Sequence, residues 1–209
     1  AGNDDVTGTG GEDRIYGGVG NDDLKGGGGG DYLADTIGRN TLEGEGGNDV
    51  IIGGIGQLTA EGGAGADFII GGIGNDTLRG GSGNDTILGD PDNSFFSGND
   101  VIDGGAGNDF LEGGGGADTF VFRPNEGTDY IAALRIRNND PSRTTDTGND
   151  YVAGVDQFDL RAFNFANTAD ALDEFTQFSN RYALFDHMGT EVYIRGLDID
   201  DLTAADFLL

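Results

Sequence analysis

The chain has 209 residues, with 42 Gly, no Cys, and 38 Asp and Glu against 11 Lys and Arg. A formal net charge of −27 makes nucleic acid and anionic lipid poor partners, since both are held through Lys and Arg, and points to cations that neutralise carboxylates. Without Cys no disulfide framework can staple a small core, and no run approaches the roughly 18 apolar residues of a membrane span.

Glycine divides the chain: 37 of the 42 lie in residues 1–121. The cause is a phrase of nine residues, Gly-Gly-x-Gly-x-Asp-x-(apolar)-x, clearest in GGAGADFII GGIGNDTLR GGSGNDTIL at 62–88. The period of nine and the near absence of Pro exclude collagen, and the strictness of the period excludes a flexible linker. A partial copy at 2–7 opens the chain within a repeat, as expected of a fragment or a processed form. Gapless copies then begin at Gly8, Gly17, Gly26, Asp35, Gly44, Gly53, Gly62, Gly71 and Gly80. A stretched copy spans 89–103, two more begin at Gly104 and Gly113, and a relaxed copy, FRPNEGTDYIA, covers 122–132.

The eighth position is apolar in every copy: Val6, Ile15, Leu24, Leu33, Leu42, Ile51, Ala60, Ile69, Leu78, Ile87, Ile102, Leu111, Phe120 and Ile131. The seventh and ninth positions are expected to be mostly polar, as Thr77 and Arg79 are, which reads as a very short half-buried strand. Glycine-rich turns joined to short strands predict an all-β chain, a parallel β-roll with two repeats per turn.

The sixth position carries the chemistry. It reads Asp4, Asp13, Asp22, Asp31, Asn40, Asp49, Leu58, Asp67, Asp76, Asp85, Asp100, Asp109, Asp118 and Asp129. Calcium takes six to eight oxygens at about 2.3–2.6 Å. The turns offer carboxylate from these aspartates and unobstructed carbonyls from glycines such as Gly18, Gly20, Gly27, Gly29, Gly63, Gly65, Gly72, Gly74, Gly81, Gly83, Gly105 and Gly107. With two repeats per turn, repeat n stacks on n+2 and the aspartates split into two rows. One is unbroken (Asp13, Asp31, Asp49, Asp67, Asp85, Asp109, Asp129) and the other fails at Asn40 and Leu58. About six ions are expected in the first row and about three in the second; together these about nine Ca²⁺ ions would offset the −18 carried by residues 1–122. The inward side chains are too few to offset the cost of ordering so glycine-rich a backbone, so ion binding is expected to be coupled to folding.

The repeats resemble those of the RTX (haemolysin-type calcium-binding) family, through residues 2–132. The resemblance implies a parallel β-roll with Ca²⁺ in the intact Gly-Gly-x-Gly-x-Asp turns, less so at 35–43 and 53–61, which depart from the pattern. It also implies type I secretion through an uncleaved carboxy-terminal signal. GGGGADTFVF (113–122) is similar to the last repeat of such proteins, GVDQFDLRAF (154–163) to their capping strand, and IRGLDIDDLTAADFLL (194–209) to their terminal segment. The tail reads as the secretion signal, as a plain cap, or as both.

The expected organisation is therefore a roll over 1–132, an insertion loop over 133–153, and a β-rich cap with the secretion signal over 154–209. The insertion, with Arg135, Arg137 and Arg143, reads as a solvated loop or as a contact for an acidic neighbour. The insertion at 89–97, with Phe95 and Phe96, reads as a loop folded on the roll or as an anchor for a partner.

No nucleophile elbow and no zinc-protease motif occurs. The one His, His187 in LFDHMGTEVYI, reads as a turn residue, and the carboxylate spacing is accounted for by calcium. Nothing here resembles an active site. Two functions follow. One is a non-catalytic, secreted calcium-binding protein with a structural, adhesive or assembly role at the cell surface, through self-association or another surface partner. The other is the folding and secretion module of a larger enzyme or toxin, such as the serralysin-type proteases, lipases and alginate epimerases that carry similar rolls.

Overall fold

A computed structural model describes residues 1–90, 98–131, 156–179, 182–197 and 199–209. Residues 91–97 of the first insertion, with Phe95 and Phe96, and the whole of 133–153, with its three arginines, lie outside the described residues.

Short strands alternate along the chain: β1 (Asp5–Thr7), β2 (Arg14–Tyr16), β3 (Asp23–Gly28), β4 (Tyr32–Ala34), β5 (Ile37–Gly46), β6 (Val50–Ile52), β7 (Ile55–Ala64), β8 (Phe68–Ile70), β9 (Thr77–Ser82), β10 (Thr86–Leu88), β11 (Val101–Ala106), β12 (Phe110–Glu112), β13 (Thr119–Val121) and β14 (Gly127–Ile131). Odd-numbered strands stack in parallel as one sheet and even-numbered strands as a second. Leu24 faces Leu42 and Leu33 faces Ile51, a register of two repeats. The stretched copy changes only the loop length, since Leu78 still faces Ile102 and Ile87 still faces Leu111. The chain is thus a parallel β-roll, as the nine-residue period predicts.

The eighth-position side chains fill the space between the sheets. Those from Leu24 to Phe120 are fully buried, whereas Val6, with no rung stacked before it among the described residues, is 36% exposed. Ala60 leaves the smallest side chain in that stack, and Leu58 beside it is also buried.

The expectation of polar seventh and ninth positions holds for only one sheet. On the outer face of β3, β5, β7 and β9 it does, with Asp23 and Lys25, Thr41 and Glu43, Thr59 and Glu61, and Thr77 and Arg79, while Val101 in β11 and Val121 in β13 depart from it. On the even-numbered strands the same positions are Tyr32 and Ala34, Val50 and Ile52, Phe68 and Ile70, and Thr86 and Leu88, with Phe110 in β12. Because alternate repeats go to opposite sheets, one face is hydrophilic and the other is a stack of aromatic and aliphatic side chains. Rings meet across rungs there, Tyr16 and Tyr32 at 5.6 Å and Tyr130 and Tyr193 at 5.2 Å, the cross-strand pairing that stabilises sheets.

The carboxy-terminal region extends both sheets. In the first, β15 (Gln157–Asp159) pairs with β13 so that Phe158 continues the core column after Phe120. A short helix, Thr168–Leu172, capped by the Asn167 side chain, leads into the second sheet. That sheet is closed by the antiparallel β16 (Phe175–Ser179), β17 (Tyr182–His187) and β18 (Thr190–Arg195), with β18 parallel to β14. β19 (Phe207–Leu208) then joins β15 as the last strand of the first sheet. His187 ends β17, just before the turn at Met188 and Gly189, with Nδ1 3.2 Å from Glu174 Oε2.

Candidate metal centre

Two opposed hydrogen-bond ladders run along the turns of the roll. In the first, a sixth-position aspartate accepts the backbone N–H of its counterpart one rung earlier. Asp13 donates to Asp31 Oδ1 at 2.8 Å, Asp31 to Asp49 at 2.7 Å, Asp49 to Asp67 at 2.8 Å, Asp67 to Asp85 at 2.8 Å, Asp85 to Asp109 at 2.8 Å and Asp109 to Asp129 at 3.0 Å. The other row begins Asp4 to Asp22, passes to Asn40 Oδ1, resumes with Leu58 donating to Asp76, and runs through Asp100 and Asp118. It then reaches Asp156, whose Oδ1 accepts from Asp118 at 2.9 Å. The two rows are those expected from the spacing.

The second ladder was not anticipated. The fifth-position asparagines Asn3, Asn21, Asn48, Asn75, Asn84, Asn99 and Asn108 each accept a backbone N–H from the following rung, at 2.9–3.0 Å. The recurring Asn-Asp pair was the available signal: one residue bonds forward along the roll and its neighbour bonds backward.

The first ladder occupies one oxygen of each carboxylate after the openers of the two rows, Asp4 and Asp13, which only donate their N–H; Asp13 Oδ2 accepts the Thr9 N–H at 2.6 Å and the Thr9 hydroxyl at 2.9 Å. The other oxygen of the later carboxylates, Oδ2, is buried and meets no hydrogen-bond donor at Asp22, Asp31, Asp49, Asp67, Asp76, Asp85, Asp100, Asp109 and Asp118. Buried polar atoms rarely go unpaired, and a buried anionic oxygen is the costliest case. Burial accordingly pushes the carboxyls up: Asp67, Asp76 and Asp118 to about 6, Asp85 to about 7, Asp129 to about 8 and Asp100 to about 9. Asp49 and Asp109 are raised by the same cause. In each, the N–H bond from the neighbouring rung pulls only part of the way back.

These oxygens share their space with backbone carbonyls. A Cβ added to Gly80 would lie 2.5 Å from Gly104 O and nearer still to Asp85 Oδ2. At Gly62 the neighbours are Gly80 O, at 2.7 Å, and Asp67 Oδ2; at Gly71 they are Gly89 O, at 2.6 Å, and Asp76 Oδ2, at 2.7 Å. Gly8, Gly26, Gly44 and Gly89 repeat the arrangement. The first glycine of each copy is thus needed for the room it leaves, and the carbonyl that meets Oδ2 comes from the first glycine of the next rung.

The glycines singled out by spacing, from Gly18 and Gly20 to Gly105 and Gly107, occupy the second and fourth positions of the same turns, all with φ between 91° and 154°. Their backbones stack on one another: the carbonyls of Gly65, Gly83 and Gly107 lie under the Cα atoms of Gly83, Gly107 and Gly127. The first-position glycines were not among the expected ligands.

The broken row shows why it is broken. Beside Gly53, where an aspartate Oδ2 would stand, a Cβ would meet Leu58 Cδ2 at 2.8 Å. Here the turns themselves become sheet. Ile37 to Asn40 pair with Ile55 to Leu58, so β5 and β7 are ten residues long. Two aspartates outside the pattern lie in this row. Asp35 replaces a first glycine, and Asp90 a second one; burial raises them to about 6 and about 7.

Among the described residues no three Asp, Glu, His or Cys side chains gather at one point. The donor set is a carboxylate from one rung with carbonyls from the next, oxygen ligands suited to a hard cation such as calcium. A consequence follows for Gly80→Ala. Its Cβ would strike both oxygens, and the expected result is loss of one bound ion and a destabilisation of about 1–3 kcal/mol, read by chemical denaturation in saturating calcium. Wild-type stability in that variant would show that the niche has no strict size limit.

A family model described as the RTX calcium-binding nonapeptide repeat matches in four copies, at residues 1–33, 25–57, 61–96 and 97–120. No curated protein matches the chain by sequence. Among solved structures, the extracellular lipase LipA from Serratia marcescens is similar at 16% identity and a TM-score of 0.41, over 91% of this chain and 40% of the lipase chain. The chain therefore spans less than half the length of that lipase. With the repeat model matching more than half of its residues and the turns built as described, the chain belongs to the RTX calcium-binding nonapeptide-repeat family.

Proposed function

We propose that the chain is a secreted, non-catalytic calcium-binding element that folds when it meets extracellular calcium and then serves a structural, adhesive or assembly role at the cell surface. The observation that carries this reading is the row of buried Oδ2 atoms without donors. Calcium bound in the turns supplies the positive charge and the high coordination number that these oxygens need. The proposed ligands are Asp4, Asp13, Asp22, Asp31, Asp49, Asp67, Asp76, Asp85, Asp100, Asp109, Asp118 and Asp129, with carbonyls of the first, second and fourth glycines of the turns. About nine ions follow from one niche per adjacent pair of aspartates, about six in the unbroken row and about three in the broken one.

Before calcium is met, the aspartates keep the chain expanded by mutual repulsion, which suits passage through a type I secretion apparatus. The tail at 194–209 is proposed as the export signal. In the folded chain Phe207 is buried and Leu208 O accepts the Leu160 N–H, so the signal would be legible before folding and closed afterwards.

The assembly role is supported by the apolar face of the even-numbered strands, and a second copy of this chain is the partner it suits. With a formal net charge of −27, two copies repel wherever carboxylates line the surface, and this face has few. Seven rungs about 4.8 Å apart, with strands about 10 Å wide, give a footprint of roughly 300–400 Å² per copy. That is less than half of the roughly 800 Å² per partner in stable complexes, so association is expected to be weak and dependent on concentration. A calcium titration followed by sedimentation tests both steps. Compaction should come first, then reversible association that Phe68→Ser with Phe110→Ser abolishes without changing compaction. A monomer at all concentrations would favour the other reading, a folding and secretion module, which makes no demand for self-association. Absence of compaction would remove the calcium reading itself.

A further inference from the structure

We propose that Asp35 is a calcium ligand that the repeat pattern does not supply, completing with Asp22 a two-carboxylate site between the rungs at 17–25 and 35–43. The proposal rests on the reading that the turns hold calcium, and adds a site where the pattern would end the row.

In the regular niches, the next rung contributes the carbonyl of its first glycine. At 35–43 the first residue is Asp35, and its side chain turns back to the rung before. A Cβ added to Gly17 would touch Asp35 Oδ2 and lie 2.6 Å from Asp22 Oδ2. A neutral acceptor is thus exchanged for a second carboxylate. Asp22 is 2% exposed and Asp35 4%, and neither Oδ2 meets a donor. The other oxygens are already used: Asp22 Oδ1 accepts from Asp4 N at 2.7 Å, and Asp35 Oδ1 from Thr36 N. Two buried carboxylate oxygens so placed repel unless they share a proton or a cation.

The exchange also explains how the row tolerates Asn40. That rung lacks its sixth-position carboxylate, and Asn40 keeps only the ladder role, accepting from Asp22 N at 2.9 Å. The carboxylate has moved from the sixth position to the first, where it serves the niche on the other side. The break in the row therefore starts one niche later than the repeat pattern indicates, and Leu58 marks it.

Ion counting by native mass spectrometry at millimolar calcium and neutral pH tests the site, on chains whose fold is checked by circular dichroism. Asp35→Asn should bind one ion fewer than wild type. Asp22→Asn should lose an ion from the same niche, and adding Asp35→Asn to it should remove no further ion. Asp35→Glu, which keeps the charge, should keep the ion. Asp67→Asn, in the unbroken row, is the control for the general reading. An unchanged count in Asp35→Asn, with an ion lost in Asp67→Asn, would leave a shared proton as the explanation and overturn the proposal alone. Additive losses in the double variant, or loss in Asp35→Glu, would also overturn it by assigning the effect to packing. A wild-type chain that binds no calcium would remove the general reading instead.

Discussion

Chelating calcium at pH 7.5 is expected to abolish the β signal of the roll in far-UV circular dichroism. Lowering the pH in the same chelator should move the metal-free chain back toward the folded state. Both outcomes come from the same carboxylates. A group whose folded pKa is raised binds more protons folded than unfolded, so it favours folding least at high pH. From an ordinary value of 3.8, Asp85 rises to about 7, Asp129 to about 8 and Asp100 to about 9. Without metal, the penalty starts near the ordinary value and grows as pH rises through these folded values. At about 1.4 kcal/mol per unit, Asp85 alone costs on the order of 4 kcal/mol above pH 7. A typical domain has about 5–15 kcal/mol of net stability, so a few such groups suffice to prevent folding.

Calcium reverses the sign. A bound cation needs the ionised carboxylate, so protons compete with it and the calcium needed for folding should rise as pH falls below the same values. The chain should thus show two opposite pH responses, one in chelator and one in calcium. The measurement is a set of calcium titrations between pH 5 and pH 8, at protein concentrations low enough to avoid precipitation near the isoelectric point of about 4.1. A complete β signal in chelator at pH 7.5 would sink the coupling of metal to folding. A calcium requirement independent of pH would show that the buried carboxylates are not the ligands.

What the sequence could reveal depended on distance along the chain. The inward column from Ile15 to Ile131 and the split of aspartates into two rows were legible, because each repeat carries its turn, its carboxylate and its core residue within nine residues. Asn40 and Leu58 were legible as breaks for the same reason. The aromatic face follows from the same assignment of alternate repeats that splits the aspartates, but only when it is applied to the seventh and ninth positions, which puts Tyr32, Val50, Phe68 and Phe110 in one column. Asp35 opens a copy that departs from the pattern, and its reach toward Asp22 depends on stacking across 18 residues. Asp156 was read within a capping strand, yet its Oδ1 accepts the N–H of Asp118, 38 residues earlier. It keeps only the Asp-x-apolar half of the repeat, and without the glycine turn there was no periodic signal to extend.

Phe158→Ala is expected to cut the folded fraction steeply at fixed calcium while shifting the calcium midpoint only slightly. Phe158 is 1% exposed, continues the core column beyond Phe120, and packs against Phe122, Phe175 and Phe207 with ring centroids 6.4, 5.7 and 6.0 Å away. This aromatic cluster closes the end of a roll whose inward column from Leu24 to Leu111 is aliphatic. A Phe-to-Ala cavity in such a core costs about 3–5 kcal/mol, roughly a 10²–10⁴-fold loss in the ratio of folded to unfolded chain. Where about nine ions are taken up with folding, that ratio varies steeply with calcium, so roughly a twofold higher calcium concentration offsets the loss. The same change in a protein with one linked ion would need the full factor. Stopped-flow and equilibrium calcium titrations of wild type, Phe158→Ala and a chain ending before Asp156 provide the check. The truncated chain should need more calcium than the point variant, because it also loses the last strands of both sheets. If the truncated roll folds at the wild-type calcium concentration, the aromatic end is dispensable and the rungs fold on metal alone. If Phe158→Ala raises the midpoint a hundredfold, folding is linked to one or two ions, and the rows do not act together.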